Sequence, residues 1–488
     1  MPSTGRRHPL RHAAAVSRCL LLAILLLAAP PARDAFAQSP RSPAAAAFFA
    51  RAGGEVRSRH YRILSDLPPD DTRAYGEHLD LMYGEYARRL ASLPQRAPEV
   101  PFVLMFAKQS DYLEVLRSTY GINGMGSGGM FFLSPAGAAL AFFTEDLPRS
   151  RVLHVVQHEG FHQYAHSRFA GTLPPWVNEG LAEFFGEAIV VDGKVIVGQA
   201  SPGPVAAIRD AIAKGTTVDF LRMLTMDGDA WNANVRAGSA AIQYMQAWSM
   251  VQFLGWAEDG RYQRAFEGYL RLLHAGTPSE RAFVQAFGTG DVASFERAWK
   301  DWAAKAQPTA FSAAAAKLTF LAEGMRALAR EGTRAEDLDD LIDQLRGRDF
   351  AIEVTVHGRT ERMTADGSLL SIPKDELAKE TPVLELLGPA RAPRTTIEKR
   401  REEAHPTPQG ITTRGLAPRE LVLVWTRTKA GDDFEYRLES PKRAPKAKRP
   451  ATRKESPTGG SGAKRAPTEP SDDVEGDDGD DAKASRKD

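Results

Sequence analysis

Cysteine is almost missing from this chain: Cys19 is the single thiol in 488 residues, and it sits in an N-terminal apolar run. Beyond that run, disulfides, thiolate metal ligands and cysteine nucleophiles are excluded. An excess of one charge is missing as well. Lys and Arg number 63 against 62 Asp and Glu, so no global bias points to a nucleic-acid partner. Long apolar runs are also scarce. The stretch from Cys19 to Ala29 is too short for a comfortable membrane span. What remains is ordinary globular material, 43% hydrophobic and 26% charged, enough for a real core. At roughly 150 residues per domain the length suggests two or three folded units.

The ends are compositionally distinct. Arg6, Arg7, Arg11 and Arg18 lead into the apolar run, and Ala35-Phe36-Ala37 supplies a small-x-small cleavage pattern. Residues 1–37 therefore read as a signal peptide cleaved before Gln38 by the general or twin-arginine route; an uncleaved anchor is the alternative. Cleavage removes Cys19 and leaves a slightly acidic chain with no stable membrane span. The expected location is the periplasm or exterior of a bacterium. At the other end Lys442–Arg465 is basic, and Glu469–Asp481 carries eight carboxylates with almost nothing apolar. Residues 441–488 cannot bury enough surface to offset ordering entropy and are expected to be disordered. The basic stretch reads as a solvated linker or, alternatively, as a weak contact to anionic surface polymers.

Between the ends, residues 38–58 are rich in Ala, Ser and Pro and read as a flexible lead-in. Residues 59–305 begin with strands (His60–Leu64, Val100–Phe106, Met130–Leu133, Ala139–Phe143) and helices (Asp71–Leu93, Asp111–Tyr120), with a Gly-rich stretch at 121–130. From Ser150 the pattern is mostly helical. One hairpin, Ile189–Val197, interrupts it, because Asp192-Gly193 suits a tight turn with positive φ. A strand-rich half followed by a helical half predicts an α+β fold. Residues 306–347 read as a helical segment. Residues 348–440 read as a small accessory region with strands at Phe350–Val356, Leu421–Trp425 and Phe434–Leu438.

The chemistry concentrates on one predicted helix. His154, His158, His162 and His166 recur every fourth residue, which stacks neighbouring rings on one helix face. Only the pair His158–His162 has a Glu directly after its first member, Glu159, giving His-Glu-x-x-His. Two imidazoles one turn apart reach one tetrahedral Zn²⁺, and the intervening Glu sits beside the metal, able to take a proton from water. The alternative is an amphipathic helix with chance histidines. Residues 163–178 contain Gly171, Pro174 and Pro175, which suit a reversal before a second helix starting near Trp176. That helix carries Glu179, a candidate third ligand, and one turn later Glu183, able to accept the outer N–H of a ligand histidine. For each glutamate the alternative is a surface charge. His154 and His166 read as core or surface histidines.

His158-Glu159-x-x-His162 followed by Trp176-Val177-Asn178-Glu179-Gly180-Leu181-Ala182-Glu183 resembles the gluzincin zinc metallopeptidases, the group of thermolysin and aminopeptidase N. The layout over 59–305 is similar to an uncharacterised bacterial family of secreted peptidase-MA-like domains. The resemblance implies one zinc ion on His158, His162 and Glu179, Glu159 as general base, and an acidic support at Glu183. It also implies an oxyanion-stabilising Tyr some sixty residues after the third ligand, for which Tyr244 is the candidate and a core tyrosine the alternative. Ala139–Phe143 is then expected to bind substrate backbone as an edge strand. Two features depart from the pattern. The sixteen-residue gap between His162 and Glu179 is short. The Gly-x-Met-x-Asn motif that grips a substrate amine is absent from Gly121–Met130, which favours endopeptidase action on peptides or proteins. The competing reading is a catalytically silent, peptidase-like envelope or surface binding protein.

Overall fold

The computed structural model describes residues 42–94, 100–134, 137–169, 173–238, 240–356, 359–366, 382–388, 395–428 and 433–441. The expected signal peptide, with Cys19, and the charged tail lie outside these residues. Strands β1 (Val56–Arg57), β2 (Arg62–Ser65), β3 (Phe102–Phe106), β4 (Gly129–Ser134) and β5 (Gly137–Phe143) form a sheet in the order β1-β2-β3-β5-β4. β2, β3 and β5 are parallel, and β1 and β4 join antiparallel at the two edges.

Alternation along the strands separates two cores. Phe102, Leu104, Phe106, Ala139, Ala141 and Phe143 pack on one face with Phe48 of α1 (Pro43–Ala52) and Tyr112 of α3 (Gln109–Val115). Val103, Met105, Leu140 and Phe142 pack on the other with Leu79 of α2 (Pro69–Arg89) and Val152, Val155 and Val156 of α4 (Arg149–Phe169). Covering both faces explains why β3 and β5 are continuous apolar runs.

Two expectations are corrected here. Residues 43–52, expected within a flexible lead-in, form α1: the Ser42 side chain accepts from Ala45 N–H, and Phe48 is fully buried, stacked on Phe106 at 4.2 Å. One inserted ring anchors an otherwise Ala-rich segment. Ala139–Phe143 is not an edge strand. It lies inside the sheet between β3 and β4, because β5 pairs in parallel with β3 and pushes its hairpin partner outward. The edge on that side of the sheet is β4.

The following half is helical, interrupted by the expected hairpin. Helix α5 (Pro175–Gly186) leads into β6 (Ile189–Val191) and β7 (Lys194–Ile196), joined at Asp192 (φ 51°) and Gly193 (φ 68°). Helices α6 to α12 run from Pro202 to Ala303, with α9 spanning Ala241–Trp256. Trp176 and Leu181 of α5 share a core with Ala247, Trp248 and Val251 of α9 and Trp299. A Cβ on Gly180 would stand 2.5 Å from the Ala247 carbonyl oxygen, so glycine lets α5 approach α9 at backbone distance.

The described residues of 348–440 pack against the helical segment that precedes them. Helices α13 (Ala310–Arg330) and α14 (Leu338–Gly347) share a buried core, including Leu318, Leu321, Leu345, Leu421 and Leu423, with a four-stranded antiparallel sheet. That sheet comprises β10 (Val383–Leu386), β11 (Ile411–Arg414), β12 (Val422–Arg427) and β13 (Phe434–Glu439), after a separate β8–β9 hairpin (Ala351–Val356 and Arg359–Thr364). Burial opposes ionisation of Asp433, but bonds from Arg326 and Arg330 outweigh it and lower its pKa to about 2. The stretches up to Pro441 belong to one compact unit of mixed α+β architecture. Among the described residues no helix is long and apolar enough to cross a membrane.

One buried side chain ties the helices that matter most. The Gln157 amide of α4 donates to the carbonyls of Phe185 (3.0 Å), Gly186 (2.7 Å) and Ala188 (3.1 Å), at and just past the C-terminal end of α5. Its oxygen accepts from His78 Nε2 of α2 at 2.9 Å, and Tyr86 Oη donates to the Gln157 carbonyl at 2.6 Å. Burial lowers the His78 pKa to about 4, so the ring stays neutral. Gln157→Leu removes the side-chain bonds to His78 and to the α5 end and is expected to destabilise the fold by ~3 kcal/mol in denaturant unfolding. A loss well under ~1 kcal/mol would contradict this role.

Candidate metal centre

Helices α4 and α5 run antiparallel. His154, His158 and His162 recur one per turn on α4, and Glu187 at the cap of α5 with Glu183 and Glu179 within it recur one per turn in the opposite direction. At one end of this ladder three atoms converge. His158 Nε2 and His162 Nε2 are 3.0 Å apart, and Glu179 Oε2 lies 3.4 Å from the first and 3.2 Å from the second. A tetrahedral ion with bonds of about 2.0–2.1 Å holds its ligand atoms roughly 3.3 Å apart. The two imidazoles and the carboxylate thus already form one face of such a shell. All three side chains are largely buried, at 7%, 10% and 16% exposed. This His–His–Glu group can hold a metal ion.

The electrostatics fit the same use. Burial opposes the charge on His158, but the carboxylates of Glu183 and Glu179 outweigh it and raise its pKa well above the usual value. His162 is raised in the same way, chiefly by Glu179 against burial. Burial likewise opposes ionisation of Glu179, yet the two imidazoles hold its pKa far below the carboxylate range.

Around this group the other expected residues take distinct positions. Glu159 lies beside it, with Oε2 accepting from the backbone N–H of Phe131 on β4 at 2.7 Å. Glu183 is buried (1% exposed), not a surface charge, and its Oε1 lies 3.2 Å from His158 Nδ1. The ion pair of His162 is at Nε2, with Glu179, and its Nδ1 is buried. Tyr244 sits on α9 one turn before Ala247, its ring meeting Trp231 edge-on at 5.3 Å. Burial, then the Glu179 carboxylate, raise the phenol pKa, so Tyr244 keeps its proton and remains a donor. His166 stands outside the group, in a cleft with Phe131, His162, Phe169 and Leu173. His154 is engaged by acids, Nε2 lying 3.4 Å from Glu183 Oε2 and Nδ1 3.5 Å from Glu187 Oε1.

Sequence reasoning missed three participants. The Phe131 N–H carries no side-chain signal. Gln157 looks like any helix glutamine until its three carbonyl partners are placed. Glu187 has a visible i+4 spacing from Glu183, but its partner depends on helix direction.

Fold and site together define an α+β protein with a buried His–His–Glu group able to hold a metal. Residues 153–269 match the model of a family described as a protein of unknown function (DUF1570). That span runs from α4 past α9 and includes His158, Glu159, His162, Glu179, Glu183 and Tyr244. No curated protein matches the chain.

The raised histidine pKa values set a pH dependence. A ligand imidazole must be neutral, so a bound proton competes with the metal wherever pH lies below the raised pKa. Metal affinity should therefore keep rising as pH increases above about 6.5, the ordinary histidine value. Calorimetric titration at pH 7 in buffers of different ionisation enthalpy should show net proton release on metal binding. Zero release would contradict the assignment.

Proposed function

We propose that this protein is an exported zinc-dependent metallopeptidase of the gluzincin type, acting on peptides or proteins as an endopeptidase. The observation that carries the reading is the convergence of His158 Nε2, His162 Nε2 and Glu179 Oε2 within 3.0–3.4 Å, with Glu159 held beside them. Two imidazoles and one carboxylate are a donor set that suits zinc and leaves a fourth position open. Zinc, when bound, supplies a water of lowered pKa and polarises the scissile carbonyl.

The chain's own groups account for the rest. The Phe131 N–H fixes Glu159 through Oε2 and leaves Oε1 to take up the proton of the attacking water and pass it to the leaving amine. Tyr244 keeps an O–H that can donate to the developing oxyanion. Phe131 points its N–H at Glu159 rather than at β5, so the outward backbone groups of β4 are those of Gly129, Phe131 and Leu133. An extended peptide can pair with those outward groups of β4 other than the Phe131 N–H, which Glu159 takes. The cleft lined by Phe131, Phe169 and Leu173 offers an apolar seat for a side chain next to the scissile bond.

Two substitutions test the reading. Glu159→Gln keeps an amide oxygen for the Phe131 N–H, so it should retain zinc while hydrolysis of a peptide library falls ~10²–10⁴-fold. Wild-type hydrolysis that survives either this change or chelation would rule the mechanism out. Tyr244→Phe should lower kcat by ~10²-fold with little change in KM. An unchanged kcat would make Tyr244 a packing residue.

A further inference from the structure

The ladder between α4 and α5 does not stop at the metal-binding rung. Glu183 is almost fully buried between two imidazoles: Oε1 is 3.2 Å from His158 Nδ1, and Oε2 is 3.4 Å from His154 Nε2. His154 in turn has its second nitrogen 3.5 Å from Glu187 Oε1. The order Glu187, His154, Glu183, His158 is therefore continuous and ends at the nitrogen-bearing ring that faces Glu179. Two further observations set this arrangement apart from chance packing. Glu187 caps the C-terminal end of α5, where the helix dipole disfavours a carboxylate and helix stability alone would select a base. The His154 ring is wedged by Gly186: an added Cβ there would stand 2.9 Å from its Cε1. The absence of a side chain at 186 lets the ring lie flat between the two acids.

We propose that His154 is a positioning residue for the metal centre, holding Glu183 so that Glu183 in turn fixes the plane and tautomer of His158, with Glu187 holding His154. This rests on the metal-binding reading above. A carboxylate that faces only one imidazole can rotate. One gripped on both oxygens presents a fixed lone pair to His158 Nδ1, which keeps Nε2 aimed at the ion. Among the described residues His162 shows no comparable carboxylate at its Nδ1, its ion pair with Glu179 being at Nε2. The two ligand histidines are thus held unequally, and the ladder supports only one of them.

The alternative use of the same atoms is a second metal ion bound by His154, His158 and Glu183, whose ligand atoms also lie within 4.8 Å of one another. It would require His158 to serve two ions through its two nitrogens, so we favour the positioning role.

The test is made on the purified full-length chain by zinc titration against a competing chelator, with the visible spectrum of the Co²⁺ form as a second readout. Loss of an outer partner of a ligand histidine typically weakens metal binding 10–100-fold. His154→Ala, one step further out, should weaken zinc about tenfold and alter the Co²⁺ bands. His154→Gln, whose amide nitrogen falls near the position of Nε2, should recover most of the affinity and the wild-type spectrum. Gly186→Ala, which removes no polar group but displaces the ring, should resemble His154→Ala. Unchanged affinity in His154→Ala, or equal loss in His154→Ala and His154→Gln, would overturn the proposal. So would two zinc ions per wild-type chain. Cleavage is not part of the readout, so lack of peptidase activity bears on the functional reading alone, whereas a wild-type chain that holds no zinc overturns both.

Discussion

The antiparallel contact of α4 with α5 is the constraint on which the site depends. One helix contributes an imidazole per turn, the other a carboxylate per turn, and the contact brings them opposite one another. A one-residue slip of α5 would rotate its side chains by about 100° and carry Glu179 away from the rings. Three features hold the register. Gln157 grips the last carbonyls of α5, Gly180 seats α5 against Ala247, and Gly186 admits the His154 ring. A helical glycine costs about 1 kcal/mol relative to alanine. Two in one short helix are explained by close approach on two different sides.

Helix α4 also belongs to both halves of the fold. Its Val152, Val155 and Val156 complete the core beneath the five-stranded sheet, while Phe161, Tyr164 and Phe169 enter the core of the helical half. The metal-binding rung therefore sits where the two cores meet. Glu159 bridges them directly, projecting from the helix to a backbone N–H of the edge strand. A carboxylate bonded to the sheet and two imidazoles facing the carboxylates of the helical half keep their mutual distances only if both cores remain docked.

Legibility in the sequence follows the range of each interaction. His158, Glu159 and His162 are set by helical spacing alone, so a few residues suffice to find them. Glu179 needed one further inference, a reversal and restart, and Pro174 and Pro175 mark that restart. The Asp192-Gly193 hairpin was visible because tight-turn chemistry is local. Strand order was not: β5 and β4 read alike as short apolar strands, and only parallel pairing of β5 with β3 decides which forms the edge. Helix α1 escaped notice because its stability comes from Phe48 stacking on a distant ring rather than from its own periodicity. His154 looked like a core or surface histidine because its partners lie on another helix, about thirty residues away.

The central claim, a single metal ion held by two imidazoles and one carboxylate, is tested most directly by X-ray absorption at the zinc edge of the metal-loaded protein. The account predicts a four-coordinate site with two imidazole nitrogens and oxygen ligands at about 2.0–2.1 Å, and loss of that signature in Glu179→Ala. An ion with one imidazole or none, or an unchanged spectrum after removal of the Glu179 carboxylate, would contradict it.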